Sequence, residues 1–270
     1  MTSTDAHFGT EAQRALLARG CHAYALLRDD PRFTYYGRTV CLASPESGDM
    51  AMLASLTRLQ GSSHYARVAN ADLPRHAEAA RAQGLGVTLY ARWEGAETAH
   101  DAARAILRDH PLPDDLTAEW IDGDAPHERL AALAEVALPC GVLPPSGAVL
   151  RGQARPGLAV IARDRNGTPV ACAGAAAYLH PDHPLGRTEC WWGMLATHPD
   201  RRGQRLALIL GAMALRAMQE RYGFTQVFTG VEPGNAPSEA VCRRTGLARA
   251  DTSTLSVADA TLLPGGRMTK

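Results

Sequence analysis

The stretch from residue 190 to residue 222 constrains this chain more than any other. An apolar, strand-like run over 190–197 leads into a short basic turn, His198-Pro199-Asp200-Arg201-Arg202-Gly203-Gln204-Arg205. After the turn Leu206, Ile209, Leu210, Met213, Ala214 and Ala217 recur at the three-and-four spacing of one helical face. The order is strand, turn, helix. The first amides of a helix have no partner within it, and the helix dipole adds partial positive charge there. A strand that delivers such a turn to a helix start makes an anion site, most often for phosphate. Arg201, Arg202 and Arg205 add formal positive charge at the same place.

The turn is neither GxxxxGK[ST] nor GxGxxG, the two common phosphate loops. Arg202-Gly203-Gln204-Arg205-Leu206-Ala207 instead resembles the pyrophosphate loop of the GNAT superfamily of acyl-CoA N-acyltransferases, [Q/R]-x-x-G-x-[G/A]. Arg202 and Ala207 match, and Arg205 stands where the first glycine is expected. Downstream, Val231-Glu232-Pro233-Gly234-Asn235 reads as a strand end, followed by a helix that closes at Thr245-Gly246-Leu247. The family's N-x-x-[S/A]-x-x-x-Y-x-x-x-G-[F/L] is matched by Asn235, Ser238, Gly246 and Leu247, with Cys242 at the tyrosine position. The resemblance covers roughly residues 115–260. It implies an α/β (α+β) fold with a mixed, mostly antiparallel central sheet flanked by helices, and acetyl-CoA (coenzyme A) as cofactor. It also implies an N-acetyltransferase acting on a primary amine of a small molecule or peptide. With Arg205 and Cys242 as substitutes, a non-catalytic acyl-CoA-binding or scaffold protein is the alternative.

The rest of the chain reads in two parts. His110-Pro111-Leu112-Pro113 interrupts the pattern and divides residues 1–112, a smaller α/β unit, from residues 114–270. The first part spaces helices at 11–27, 50–60, 72–83 and 97–108 between short strands at 39–42, 64–69 and 87–93. It carries no acyl-CoA motif and reads as a degenerate tandem copy of the same fold. It is expected to pack against the second part and form one wall of the acceptor site. The second part reads as strands at 116–121, 158–163, 169–178, 190–197 and 226–231, helices at 125–138 and from Leu206 to Tyr222, and a last strand pair within 249–263.

Amine acylation by a thioester needs a held cofactor, a neutral amine and a stabilised leaving thiolate. The resemblance gives the first task to Arg202, Gly203, Gln204, Arg205, Leu206 and Ala207. Leu195 and Thr197 join them on the strand, and Asn235 and Ser238 either bond the pantetheine arm or cap their helix. Alternation along the strand would put Glu189, Trp191, Gly193, Leu195 and Thr197 on one face. Glu189 and Glu232 are the two candidates to take the amine proton, and Cys242 the candidate to give one to the thiolate.

Charge excludes other classes. Arginine plus lysine and aspartate plus glutamate each number 28, so the net charge is zero, which gives no basic surface for nucleic acid or an anionic membrane. No run of about 18 apolar residues occurs, and the first residues lack a secretory pattern. Six scattered cysteines without a CxxC pair argue for free thiols in a cytoplasm and against a metal site. A homodimer is compatible with all of this.

Overall fold

The computed structural model describes residues 6–265 and 268; residues 1–5, 266, 267, 269 and 270 lie outside the description. In chain order the elements are α1 (Glu11–Leu27), β1 (Phe33–Thr34), β2 (Cys41–Leu42), α2 (Met50–Gln60), β3 (Ser62–Ala69), α3 (Leu73–Ala82), β4 (Gly86–Gly95), α4 (Glu97–Asp109), β5 (Leu116–Ile121) and α5 (His127–Ala137). They continue with α6 (Gly147–Leu150), β6 (Gly157–Asp164), β7 (Pro169–Ala177), β8 (Glu189–Thr197), α7 (Leu206–Tyr222), β9 (Gln226–Val231), α8 (Ala236–Arg244) and β10 (Ala248–Ala258).

Helix ends follow their local chemistry. Thr10 and Gln13 cap α1 reciprocally, and Asp49 accepts the amide of Met52 at the start of α2. Gly61 and Gly223 end α2 and α7 in the left-handed conformation that glycine tolerates.

All ten strands form one sheet, in the order β1-β2-β3-β10-β4-β9-β8-β7-β6-β5. Every pairing is antiparallel except β2 with β3 and β8 with β9. The mixed, mostly antiparallel sheet is therefore present as the sequence implied. Two apolar cores cover its faces. One holds side chains of α1, α2, α3, α5 and α6, the other those of α4, α7 and α8.

Two features depart from the sequence reading. Residues 249–263 hold one strand, not a pair. β10 leaves α8, crosses the sheet and lies between β3 and β4, antiparallel to both. Its polar side chains are used there: Ser253 Oγ donates to Asn70 Oδ1 at 2.7 Å and Thr254 Oγ1 to the Ala66 carbonyl at 2.9 Å. Secondly, the regular alternation of β8 fails at Met194. That residue has φ 55°, and the ladder with β7 slips between Cys172 and Gly174, as a bulge requires. Trp191, Met194 and Ala196 consequently join one core while Trp192 and Leu195 pack on the other. Leu195 does not share the face of Trp191, because the bulge inserts one extra residue.

Candidate functional site

β8 and β9 run side by side only at their beginnings, through Glu189 with Gln226, Cys190 with Val227 and Trp191 with Phe228. Beyond Trp191 the bulge at Met194 bends β8 away, while β9 stays paired with β4 as far as Val231. Between the diverging ends opens a cavity of about 310 Å³. Leu195, Glu232, Asn235, Ser238 and Cys242 all line it. Glu189, Thr197 and residues 202–207 do not.

Glu189 lies at the closed end of the wedge. It is 3% exposed and meets two arginines: Oε2 lies 2.8 Å from Arg67, and Oε1 pairs with Arg92 at 2.7 Å, at angles too bent for a hydrogen bond. Arg67 and Arg92 also pair with Glu94, and the Arg92 guanidinium sits 3.6 Å from the centre of the Phe228 ring. A buried carboxylate needs such partners. These salt bridges tie β3, β4 and β8 together.

At the other end of β8, the chain makes a short 3-10 turn and enters α7 through two left-handed residues, Gly203 at φ 82° and Arg205 at φ 60°. Arg205 thus keeps the backbone shape that glycine would adopt most easily. No side chain caps α7. A Cβ built on Gly203 would meet nothing within 4 Å, so the approach to the turn is open. Of the three arginines, Arg201 is engaged: it reaches Asp115 at 2.8 Å and Gln204 at 3.0 Å. Arg202 and Arg205 are exposed.

On α8, Asn235 accepts the Ser238 amide at 3.3 Å, which makes it the helix cap. Cys242 is 2% exposed, and burial pushes its thiol up to about 12. Trp192 is a core residue: its indole N–H donates to the Gly211 carbonyl at 2.9 Å, against a helix position where a Cβ would collide with the ring. Trp191 faces the other way and packs on Tyr36, ring centres 4.9 Å apart.

The inner wall was not legible in the sequence. Tyr36, Arg38, His64 and Tyr90 come from the first half, and Tyr178, Thr254 and Ser256 from the second. Tyr178 stacks against His64 and meets Phe228 edge-on, at 6.0 and 4.8 Å between ring centres. Its hydroxyl bonds His64 Nε2, while His64 Nδ1 lies 3.0 Å from Cys41 Sγ. The Cys41 thiol donates to the Thr39 carbonyl at 3.4 Å. The neutral ring then donates through Nδ1 and accepts the tyrosine at Nε2. Burial, aided by the charge of Arg38, lowers the His64 pKa to about 3; burial also raises Cys41 to about 12 and Tyr178 well above its usual value. Tyr36, Arg38 and Tyr178 lie outside the strands, and His64, Tyr90, Thr254 and Ser256 sit on strands whose pairing is long-range, so no local pattern brings them together. The only hint is the aromatic and glycine run Tyr35-Tyr36-Gly37.

Among the described residues no three histidine, cysteine or carboxylate side chains are grouped to hold a metal, and no helix is long and apolar enough to cross a membrane.

Residues 126–247 match the model of the acetyltransferase (GNAT) family. A search of curated proteins finds no match. Among solved structures, a GCN5-related N-acetyltransferase from Kribbella flavida superposes with TM-score 0.57 at 17% identity, covering 93% of this chain and 96% of that one. A GCN5-related N-acetyltransferase-like protein from Streptococcus suis gives 0.54 at 15%, over 90% and 100%. A tandem GNAT protein from the clavulanic acid biosynthesis pathway gives 0.53 at 16%, over 78% and 69%. Residues 126–247 are thus similar to the GNAT family, and the chain as a whole shares the fold of these structures.

Proposed function

We propose that this protein transfers an acyl group, most simply acetyl, from acyl-CoA to a primary amine bound in the cavity between β8 and β9. The observation that carries the reading is the parting of those strands beside an open, uncapped helix start. In this reading the backbone of Arg202, Gly203, Gln204, Arg205, Leu206 and Ala207 holds the cofactor diphosphate, with Arg202 and Arg205 supplying charge. Leu195 and Thr197 on β8, and Ser238 on α8, flank the pantetheine arm. When bound, acetyl-CoA supplies an activated thioester carbonyl.

Glu232 ends β9 on the cavity wall and is the group we assign to take the amine proton. Glu189, held by Arg67 and Arg92 outside the cavity, orders the strands. Cys242 lines the cavity but keeps its proton firmly. A thiol near 12 donates poorly to a thiolate whose ordinary pKa is about 8.5. The leaving thiolate then takes its proton from water.

The first test is thioester consumption with a panel of amines, together with melting temperature. Coenzyme A stabilises the fold if it binds only the native state. Pantetheine without its phosphates should do so much less, and equal shifts would remove the diphosphate site. Glu232→Gln is expected to cut turnover by about 10²-fold or more without weakening CoA binding. Cys242→Ala should keep more than about a third of turnover, and a hundredfold loss would make it the general acid after all.

A further inference from the structure

Arg38 is a buried cation whose partners in the described structure are all neutral. It is 7% exposed and lines the cavity. Nη1 donates to the Tyr36 hydroxyl at 3.0 Å and Nη2 to the Leu143 carbonyl. Its Nε is buried with no hydrogen-bond partner. The guanidinium lies 5.1 Å from the Tyr36 ring centre and 5.4 Å from that of Trp191. No carboxylate of the described residues lies within ion-pair distance of it. Arg92 of β4, by contrast, has Glu94 and Glu189, and buried Arg155 is surrounded by the carbonyls of Tyr35, Tyr178 and Leu179. A guanidinium has five donors in a fixed fork, and Arg38 directs only two of them to these oxygens.

The segment that carries Arg38 is fixed on several sides. The Gly37 carbonyl accepts the Ser146 amide at 2.7 Å, and Gly37 sits at φ 95° where a Cβ would meet Pro145 and Ser146. The Arg38 carbonyl lies so close to Gly20 of α1 that a Cβ there would overlap it. The charge is therefore preorganised beside an opening, desolvated, and short of an anion. Burying a cation without a counter-charge is costly, and a ligand carboxylate would offset that cost with a two-pronged hydrogen bond.

We infer that Arg38 is the anchor for a carboxylate on a molecule that enters the cavity, so that the acceptor is a compact amine bearing a carboxylate, an amino acid or a close analogue. The rings of Tyr36 and Trp191, packed on each other at 4.9 Å and both beside the guanidinium, favour a flat, apolar body next to that carboxylate. This rests on the cavity being where amine and thioester meet. The same carboxylate chemistry could reach Arg38 on a dicarboxylic acyl chain instead, and the test separates the two sources.

The full-length protein is assayed with L-amino acids against their methyl esters as acceptors for acetyl-CoA, and with succinyl-CoA against butyryl-CoA as donors. Melting-temperature shifts are measured with the same compounds. The expected result is that at least one amino acid binds and turns over where its ester does not. Arg38→Met should raise its KM by about 10²-fold while leaving coenzyme A affinity unchanged, as for loss of one partner of a buried charge pair. Arg38→Lys, which keeps the charge without the fork, should recover part of the binding, and it serves alone if the methionine variant does not fold. A preference for succinyl-CoA that disappears in the variants would keep the carboxylate anchor and move its ligand to the acyl chain. Amino acid binding through Arg38 with no thioester consumed would support the anchor and sink acyl transfer. Two outcomes would overturn the inference. One is esters serving as well as acids in every pair. The other is Arg38→Met lowering kcat equally for acceptors with and without a carboxylate, which would place Arg38 at the thioester.

Discussion

Burial keeps the His64 imidazole neutral far into acid, and that has a consequence for stability. Its folded pKa is about 3, whereas an unfolded histidine titrates near 6.5. Above about pH 6.5 neither state holds the extra proton, and the group's full contribution is present. As pH falls from there toward about 3, the unfolded chain gains a proton that the native ring refuses, and that contribution is lost. Between pH 7 and pH 5 the loss from this one group amounts to about 2 kcal/mol. Urea titrations at the two pH values should show it in the native protein. His64→Gln should be less stable at pH 7, through its lost bonds to Cys41 and Tyr178, but should lose about 2 kcal/mol less over the same interval. Equal losses in the two proteins would mean that His64 is not the linked group. None of this was visible in the sequence, where His64 merely opens a short strand over 64–69.

At the level of elements, the turn before α7 shows what a motif reading can and cannot deliver. The strand, the turn and the helix were all legible: the sequence placed the helix end at Tyr222 and the following strand at 226–231, as found. Local pattern suffices where neighbours in the chain are neighbours in space. The conformation of Arg205 needed the structure. At φ 60° it carries the strain of a left-handed non-glycine residue, of order 1–2 kcal/mol. Charge and conformation can be separated by two substitutions. Arg205→Gly removes both charge and strain and should raise stability by up to about 1 kcal/mol, since glycine's greater unfolded freedom offsets part of the gain. Arg205→Ala removes the charge and keeps the strain. If the arginine serves by charge, coenzyme A affinity falls roughly fivefold in both, the scale of one exposed ion pair, and its salt dependence weakens in both. Calorimetric affinities at two salt concentrations decide it. Affinity unchanged in both variants would show that backbone shape, not charge, is what coenzyme A meets. The bulge at Met194 belongs to the same class: alternation reads correctly up to Gly193, and one inserted residue then reverses every face after it.

At the scale of the whole molecule, the feature that no local pattern could announce is the path of β10. A strand of serines, threonines and alternating leucine and valine reads locally as half of a terminal hairpin. Its real partners are about 155 to 195 residues away in sequence, and the hydrogen bonds that pair them are long-range, so the sequence carries no turn to reveal them. The pairing has a functional side. In the first half, β3 and β4 run parallel with β10 filling the space between them, whereas β8 and β9 in the second half part around the cavity. If the first half is a degenerate copy, the opening that would have received a cofactor is occupied by the other half's last strand. The two halves then hold each other: β9 relies on β4, and β10 on both β3 and β4. A fragment of residues 114–270 would expose the edge of β9 and leave β10 with no partner on either side. Exposed edges pair with other chains, so the fragment should aggregate or lack cooperative unfolding, and should bind no coenzyme A. The full chain should melt in one transition, followed equally by circular dichroism and by tryptophan fluorescence from Trp93 in the first half and Trp120, Trp191 and Trp192 in the second. Mixing separately expressed 1–112 and 114–270 should restore the transition, because the missing strands are supplied in trans. A fragment of 114–270 that is soluble, melts cooperatively and keeps full turnover would show that the second half folds without its neighbour, and that the wall formed by Tyr36, Arg38, His64 and Tyr90 is dispensable.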